Sequence, residues 1–190
     1  MKRFDFKEIL EIVCRLYVFF FLTVYGIGKV IGAQFYMPTG IPEEIAIMPI
    51  AQVPDFELAW VFMGRSYGYM IFIGLAEIIG AILLLFNKTK LVGTLILIPI
   101  MVNVIVFDIF FLDEYGALAG ATLYLLMLFA ILFINKEKMI ATFNDLINNK
   151  KLPKTSSKEK IYKYLIVATI IVLIFIGDQL IVNFFGYGKG

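Results

Sequence analysis

The chain has 190 residues, 61% of them hydrophobic, with 19 Phe and a mean hydropathy of +0.90, well beyond the roughly 45 to 50% apolar usage of water-soluble domains. A formal net charge of +2, one cysteine (Cys14) and no histidine exclude an intrachain disulfide, a CxxC motif, a cysteine metal site and a histidine-ligated haem. Any redox chemistry must therefore come from a bound cofactor or a partner.

Five apolar runs are long enough to span the bilayer, since about 30 Å of hydrocarbon needs about 20 residues at 1.5 Å each. They are apolar on every side for most of their length, which is the pattern of helices rather than barrel strands. The first runs from Ile9 to Ile31. It follows MKRFDFK in the manner of a signal peptide, but its length and the charges Arg15 and Lys29 within it predict a retained span. The next segment, an external loop at about 34–66, holds four of the six prolines. Pro54 and Asp55 open a helix, and the 32 residues from there to Phe86 would measure about 48 Å, too long for one straight span. Either the chain breaks at Gly64–Gly68, leaving FELAWVFM at the outer interface with Trp60 at headgroup level, or one long helix tilts.

The second span is Tyr67 to Phe86, the third Leu91 to Ile109 and the fourth Ala117 to Ile134. KMIATFNDLINNKK then places Met139, Ile140, Phe143, Leu146 and Ile147 on one face, and KLPKTSSKEK continues as a basic linker. A segment of this kind lies on a membrane surface and is drawn to anionic lipid. The fifth span runs from Ile161 to Phe185, interrupted near its end by Asp178 and Gln179. The predicted organisation is an all-α membrane protein: a four-helix bundle in residues 1–134, a basic interfacial segment in 135–160, and a fifth transmembrane helix with a short tail in 161–190.

Basic residues are unevenly placed. Lys2, Arg3, Lys7, Lys88, Lys90 and eight lysines between spans four and five make 13 of the 17, whereas Glu43, Glu44, Asp55, Glu57, Asp113 and Glu114 fall on the other side. The positive-inside rule then predicts a multi-pass protein of the cell membrane with a cytoplasmic N-terminus and an external C-terminus. The bilayer is the expected partner; nucleic acid is not, because no recognisable module or basic stretch interleaved with aromatics is present.

Charges inside spans are the candidate functional residues. Arg15, Phe19, Leu22, Gly26 and Lys29 fall on one stripe of the first helix. Arg15 lies about 9 Å into its span and Glu77 about 13 Å into the antiparallel second span, so the two are expected to pair. Gly74, Gly80 and Ala81 make the Glu77 face small enough for a close neighbour. Such a pair either fixes helix register or lines a quinone, lipid or proton site. In the third span Pro99 frees the carbonyl of Leu95, and Asn103 is placed to hydrogen-bond across the bundle. Asp108, about 140° further round, either pairs with Lys29 near the outer face or leaves Lys29 to snorkel alone. Tyr25, Tyr67, Tyr69 and Tyr124 line a cavity or form interface belts. No phosphate-binding loop, HExxH or nucleophile motif occurs.

Arg15, GIGK at Gly26–Lys29, YGYMIFIGLAEIIGAILLLF with Glu77, KTKLVG and LILIPIMVNVIV with Asn103 together resemble the DoxX family of small membrane proteins. The likeness spans Arg15 to Ile134; the lysine-rich loop and fifth span look like an addition. Where many relatives carry a polar, often basic segment after the third span, this chain has FDIFFLDEYGALAG. The resemblance implies a four-helix bundle and an association with redox processes, some relatives being subunits of thiosulfate:quinone oxidoreductase. The resulting expectation is a non-catalytic subunit, binding or anchoring component of a membrane-associated redox complex, its polar pocket of Arg15, Glu77, Asn103, Lys29 and Asp108 taking a quinone or lipid headgroup. The alternatives are a quinone-dependent oxidoreductase subunit, with Glu77 accepting a proton beside Arg15, and a small proton-coupled transporter. A soluble or membrane redox partner belongs to the first two readings, and no metal site to any.

Overall fold

The computed structural model describes residues 5–112, 115–147 and 157–185. Lys2, Arg3, Asp113, Glu114, most of the KLPKTSSKEK linker and the GYGKG tail lie outside the described residues. The chain forms two compact units, Met1–Ala141 and Thr142–Gly190.

In the first unit, α1 (Phe6–Val30) begins where the Asp5 side chain accepts the Lys7 amide N–H at 3.0 Å. It ends at Gly32, whose φ of +72° suits a residue without a Cβ, and the Ala33 amide turns back to donate to the Gly28 carbonyl at 2.8 Å. A short helix α2 (Glu43–Ala46) and a single 3-10 turn follow, then α3 (Asp55–Gly64). Of the two arrangements open to the Asp55–Phe86 segment, the broken one is found. A Cβ on Gly64 would overlap the backbone carbonyl of Tyr36, so the loop packs directly on the end of α3. Ser66 then caps α4 (Tyr67–Leu85) by accepting from the Tyr69 N–H. A tight turn leads to α5 (Lys90–Phe111), with Pro99 inside it, and α6 (Tyr115–Ile134) completes the bundle.

Each bundle helix buries one narrow stripe. The stripes are Glu11, Arg15, Val18, Leu22 and Lys29 on α1; Met70, Gly74, Glu77, Ala81 and Leu84 on α4; Thr94, Leu97, Met101 and Asp108 on α5; and Ala121, Tyr124, Leu128 and Ile131 on α6. Spacings of three and four residues give a seam of the coiled-coil kind. Neighbours run α1, α4, α5, α6 and back to α1. The other faces stay apolar and outward, with Phe20, Phe72, Phe110, Leu126 and Phe133 all exposed. A soluble bundle would not leave so much apolar surface uncovered, and lipid removes the cost.

Two glycine crossings set the distances. A Cβ on Gly26 would stand 2.8 Å from the Gly74 carbonyl oxygen, and one on Gly74 would stand 2.6 Å from that of Gly26, so α1 and α4 touch backbone to backbone. At the α4–α5 crossing a Cβ on Gly93 would come within 2.6 Å of the Gly80 oxygen, while Gly80 makes room for the Leu97 side chain.

α7 (Lys136–Ile147) follows directly from the bundle. In the second unit, α8 (Ser157–Phe185) is a single helix with Asp178 and Gln179 in contact at 3.4 Å. Among the described residues, five helical segments are long and apolar enough to cross a membrane: Phe6–Val30, Tyr67–Leu85, Lys90–Phe111, Tyr115–Ile134 and Glu159–Ile181. The protein is thus an all-α membrane protein, a four-helix bundle plus a fifth C-terminal spanning helix, and no strand occurs among the described residues.

Gly74→Ala forces α1 away from α4 and is expected to cost about 1 to 3 kcal/mol in unfolding titrations in micelles. Gly28→Ala and Gly68→Ala, where nothing lies within reach of a Cβ, are expected to be neutral or to stabilise by up to about 1 kcal/mol.

Candidate functional site

Side chains on a helix lean toward its N-terminus, and this decides where the buried charges go. Gly26 faces Gly74 in the antiparallel α1–α4 pair. Eleven residues back along α1 is Arg15, and eleven forward along α4 is Leu85, so these two stand opposite one another. Arg15 therefore does not meet Glu77, contrary to the sequence expectation. The offset from Leu85 to Glu77 is about 12 Å at 1.5 Å per residue, and both side chains lean away from each other.

Arg15 instead ties the helix ends together. Its Nε donates to the Leu84 carbonyl, Nη2 to the Leu85 carbonyl at 2.7 Å, and Nη1 to Asn87 Oδ1 at 2.7 Å and Glu11 Oε1 at 3.3 Å. The carbonyls are those left without helical partners at the C-terminus of α4. Glu11 also binds Lys90 at the start of α5 and accepts from Asn135 Nδ2, just past α6, at 3.0 Å. One carboxylate and one guanidinium thus join all four bundle helices at this end. Each of these hydrogen bonds is internal, and Arg15 borders a separate, smaller cavity of about 210 Å³ with Leu85 and Asn87 rather than sharing a pocket with Glu77.

At the other end the same geometry works in reverse. Lys29 stands opposite Ile71, and Glu77 lies six residues deeper, about 9 Å along the axis. The Lys29 side chain leans inward and that of Glu77 leans outward, so they meet. Lys29 Nζ lies 2.8 and 3.0 Å from the two carboxylate oxygens, with Lys29 6% and Glu77 1% exposed. Gly26 and Gly74, each one turn before its charged residue, hold the backbones close enough for this span. Tyr67 Oη ties the start of α4 to the end of α1 by donating to the Val30 carbonyl at 2.9 Å.

Above the pair are two adjoining cavities of about 470 and 510 Å³, both bordered by Lys29, Gln34, Trp60, Val104 and Asp108. Each is of ligand size. The first lobe continues past Tyr25, Glu77, Ala117 and Tyr124; the second passes Tyr69, Ile73, Ile100 and Asn103. Asp108 is 5% exposed, and its carboxylate makes no hydrogen bond or ion pair among the described residues; Lys29 is the cation whose charge reaches it. The Tyr25 ring centroid is 6.0 Å from Lys29 Nζ, and Tyr124 stacks on Phe21 with centroids 5.6 Å apart. Trp60 packs against Phe56 and Phe35 at 4.1 and 5.3 Å. Among the described residues no group of three or more His, Cys, Asp or Glu is placed to hold a metal.

Of the five residues expected to share a pocket, Lys29, Glu77 and Asp108 come together, and Asn103 reaches only the second lobe. Asn103 is exposed and makes no side-chain hydrogen bond among the described residues. It lies about 200° round α5 from buried Met101 and so turns off the seam, which rules out the expected bond across the bundle. Asn103 and Asp108 nonetheless border one lobe at different depths. Neither outcome open to Lys29 and Asp108 is found: the ammonium is held by Glu77 rather than Asp108, and Lys29 is buried rather than snorkelling to the interface. Sequence reasoning missed Gln34 and the Glu11, Asn87, Lys90 and Asn135 contacts to the arginine end. Glu11 and Arg15 at i and i+4 carried a signal for theirs, whereas Gln34 sits in a loop with none.

Fold and site together define a multi-span helical membrane protein with a charged cavity between its helices. No family model matches the sequence, and no solved structure matches it. The Uncharacterized protein YwoB of Bacillus subtilis (strain 168) is 34% identical over 129 residues, covering 68% of this chain and 79% of the relative. The chain belongs to the family of that protein.

Lys29→Met and Glu77→Leu each strand a buried charge and are expected to cost about 3 to 5 kcal/mol singly, with the double variant costing less than either single one in the same unfolding titration. Arg15→Lys, which cannot bridge two carbonyls, an amide and a carboxylate at once, is expected to lower stability while leaving the cavity lining intact. Thermal unfolding in micelles checks the first effect, and the near-ultraviolet circular dichroism of Trp60 the second.

Proposed function

We propose that the protein is a membrane-embedded binding or anchoring component that receives the polar end of an amphipathic, lipid-soluble molecule between its helices. The cavity carries this reading. Its walls are aromatic and aliphatic, its polar groups converge on Lys29, Glu77 and Asp108, and its size suits one small molecule. A ligand's polar end would meet those charges while its apolar body followed the lobes past Val104, Ile100 and Met101. The resemblance to DoxX proteins makes a quinone or lipid headgroup the class to test first, in a complex whose redox chemistry lies with a partner. The arginine end would then serve as a fixed base that keeps the helices in register. The distribution of lysines puts the N-terminus in the cytoplasm, the C-terminus outside, and the cavity toward the outer face of the cell membrane.

Protein purified in lipid nanodiscs and extracted with solvent is expected to yield one amphipathic species near one-to-one stoichiometry by mass spectrometry. Val104→Phe, which fills the wall shared by both lobes, is expected to lose it at least about ten-fold while the protein remains folded. Equal recovery from both proteins would place the bound molecule elsewhere and reject the cavity as its site.

A further inference from the structure

The polar groups around the cavity are mismatched in a way that specifies what is missing. Two acceptor groups at the cavity, on Asp108 and Gln34, receive no hydrogen bond among the described residues. Gln34 is a residue that borders both lobes, and its Oε1 is buried. A buried acceptor left unpaired is costly in a medium without water. The one ammonium at hand, on Lys29, already gives two of its three donors to Glu77. Charge tells the same story: two carboxylates, Glu77 and Asp108, face a single lysine, so the cavity carries one formal negative charge in excess. The walls add the rings of Tyr25, Tyr124 and Trp60, whose faces attract cations.

We propose that the cavity selects a protonated amine: an amphipathic molecule whose ammonium group donates hydrogen bonds to Asp108 and Gln34 while its apolar body occupies the lobes. This rests on the binding reading above and, within it, favours an amine headgroup over the quinone that the resemblance suggests. An anionic headgroup would meet the excess carboxylate, and a quinone brings only further acceptors. A bare metal ion is too small for lobes of this volume, and among the described residues it finds no cluster of three ligating side chains. An ammonium supplies the missing charge and the missing donors together.

Trp60 is the only tryptophan in the chain and borders both lobes, so its fluorescence reports occupancy directly. The full chain in sugar-detergent micelles is titrated with decylamine, decyltrimethylammonium, decanol, decanoate and decylubiquinone, which share a tail length and differ in the head. Decylamine is expected to give a saturable change with an apparent Kd at least about ten-fold below those of decanol, decanoate and decylubiquinone, and below that of decyltrimethylammonium, which has the charge without the N–H. Asp108→Asn, close in shape, is expected to raise the decylamine Kd about ten-fold and leave decanol unchanged; Gln34→Ala is expected to raise it roughly three-fold. Phosphatidylethanolamine that displaces decylamine would identify a lipid headgroup as the source of the amine, and failure to displace it would identify a free amine. Decanol or decylubiquinone binding as tightly as decylamine, or an Asp108→Asn variant that binds decylamine unchanged, overturns the proposal while leaving the cavity a binding site. Silence from every probe also overturns it, and the recovery of a molecule from nanodiscs then judges the binding reading separately.

Discussion

The contact between Lys29 and Glu77 depends on two glycines. A lysine and a glutamate about 9 Å apart along antiparallel axes meet only when the backbones nearly touch, and Gly26 and Gly74 remove the side chains that would prevent it. In hydrocarbon neither charge has a solvent to retreat to, so the pair and the crossing support each other. Widening the crossing strands both charges. Around this point the bundle has little freedom to slide, because the direction in which each side chain leans makes the pairing specific to one register.

The charged residues divide into two groups with different kinds of partner. At the arginine end each partner is another part of the protein: helix-terminal carbonyls, Asn87, Asn135, Glu11 and Lys90. That network supplies the hydrogen bonds that helix termini lack and joins consecutive helices where short turns connect them. At the lysine end the polar groups face a cavity, and two of them, Asp108 and Gln34, have unfilled hydrogen-bonding capacity. A network complete in itself is structural. An incomplete one bordering a space of ligand size is where binding is to be sought.

The spans were legible from hydropathy, since five runs of apolar residues admit few other readings in a chain this rich in Phe, Ile and Leu. Most of the stripe on α1 was legible too, with Val18 in place of Phe19 and with Glu11 and Cys14 added to it. The pairing of charges across helices was not. Depth counted from the ends of apolar runs carries an uncertainty of a turn or more, and the lean of the side chains adds as much again. Arg15 and Glu77 fall inside that margin, and only the Gly26–Gly74 contact fixes which acid belongs to which base. Gln34 and Trp60 enter the site through a loop and a short helix held by the packing of Tyr36 against Gly64, a tertiary contact with no periodicity to announce it.

Both lobes reach the outer surface of the bundle through its sides. Val24, Tyr25 and Ala117 border the first and are exposed along the seam of α1 and α6; Phe62 and Tyr69 border the second and are exposed beside α3 and α4. A solute arriving by these lateral gaps has first dissolved in the membrane. Its occupancy would then follow its abundance per lipid, with the partition coefficient setting the effective dose, and a weak intrinsic affinity would suffice for a molecule the bilayer already concentrates.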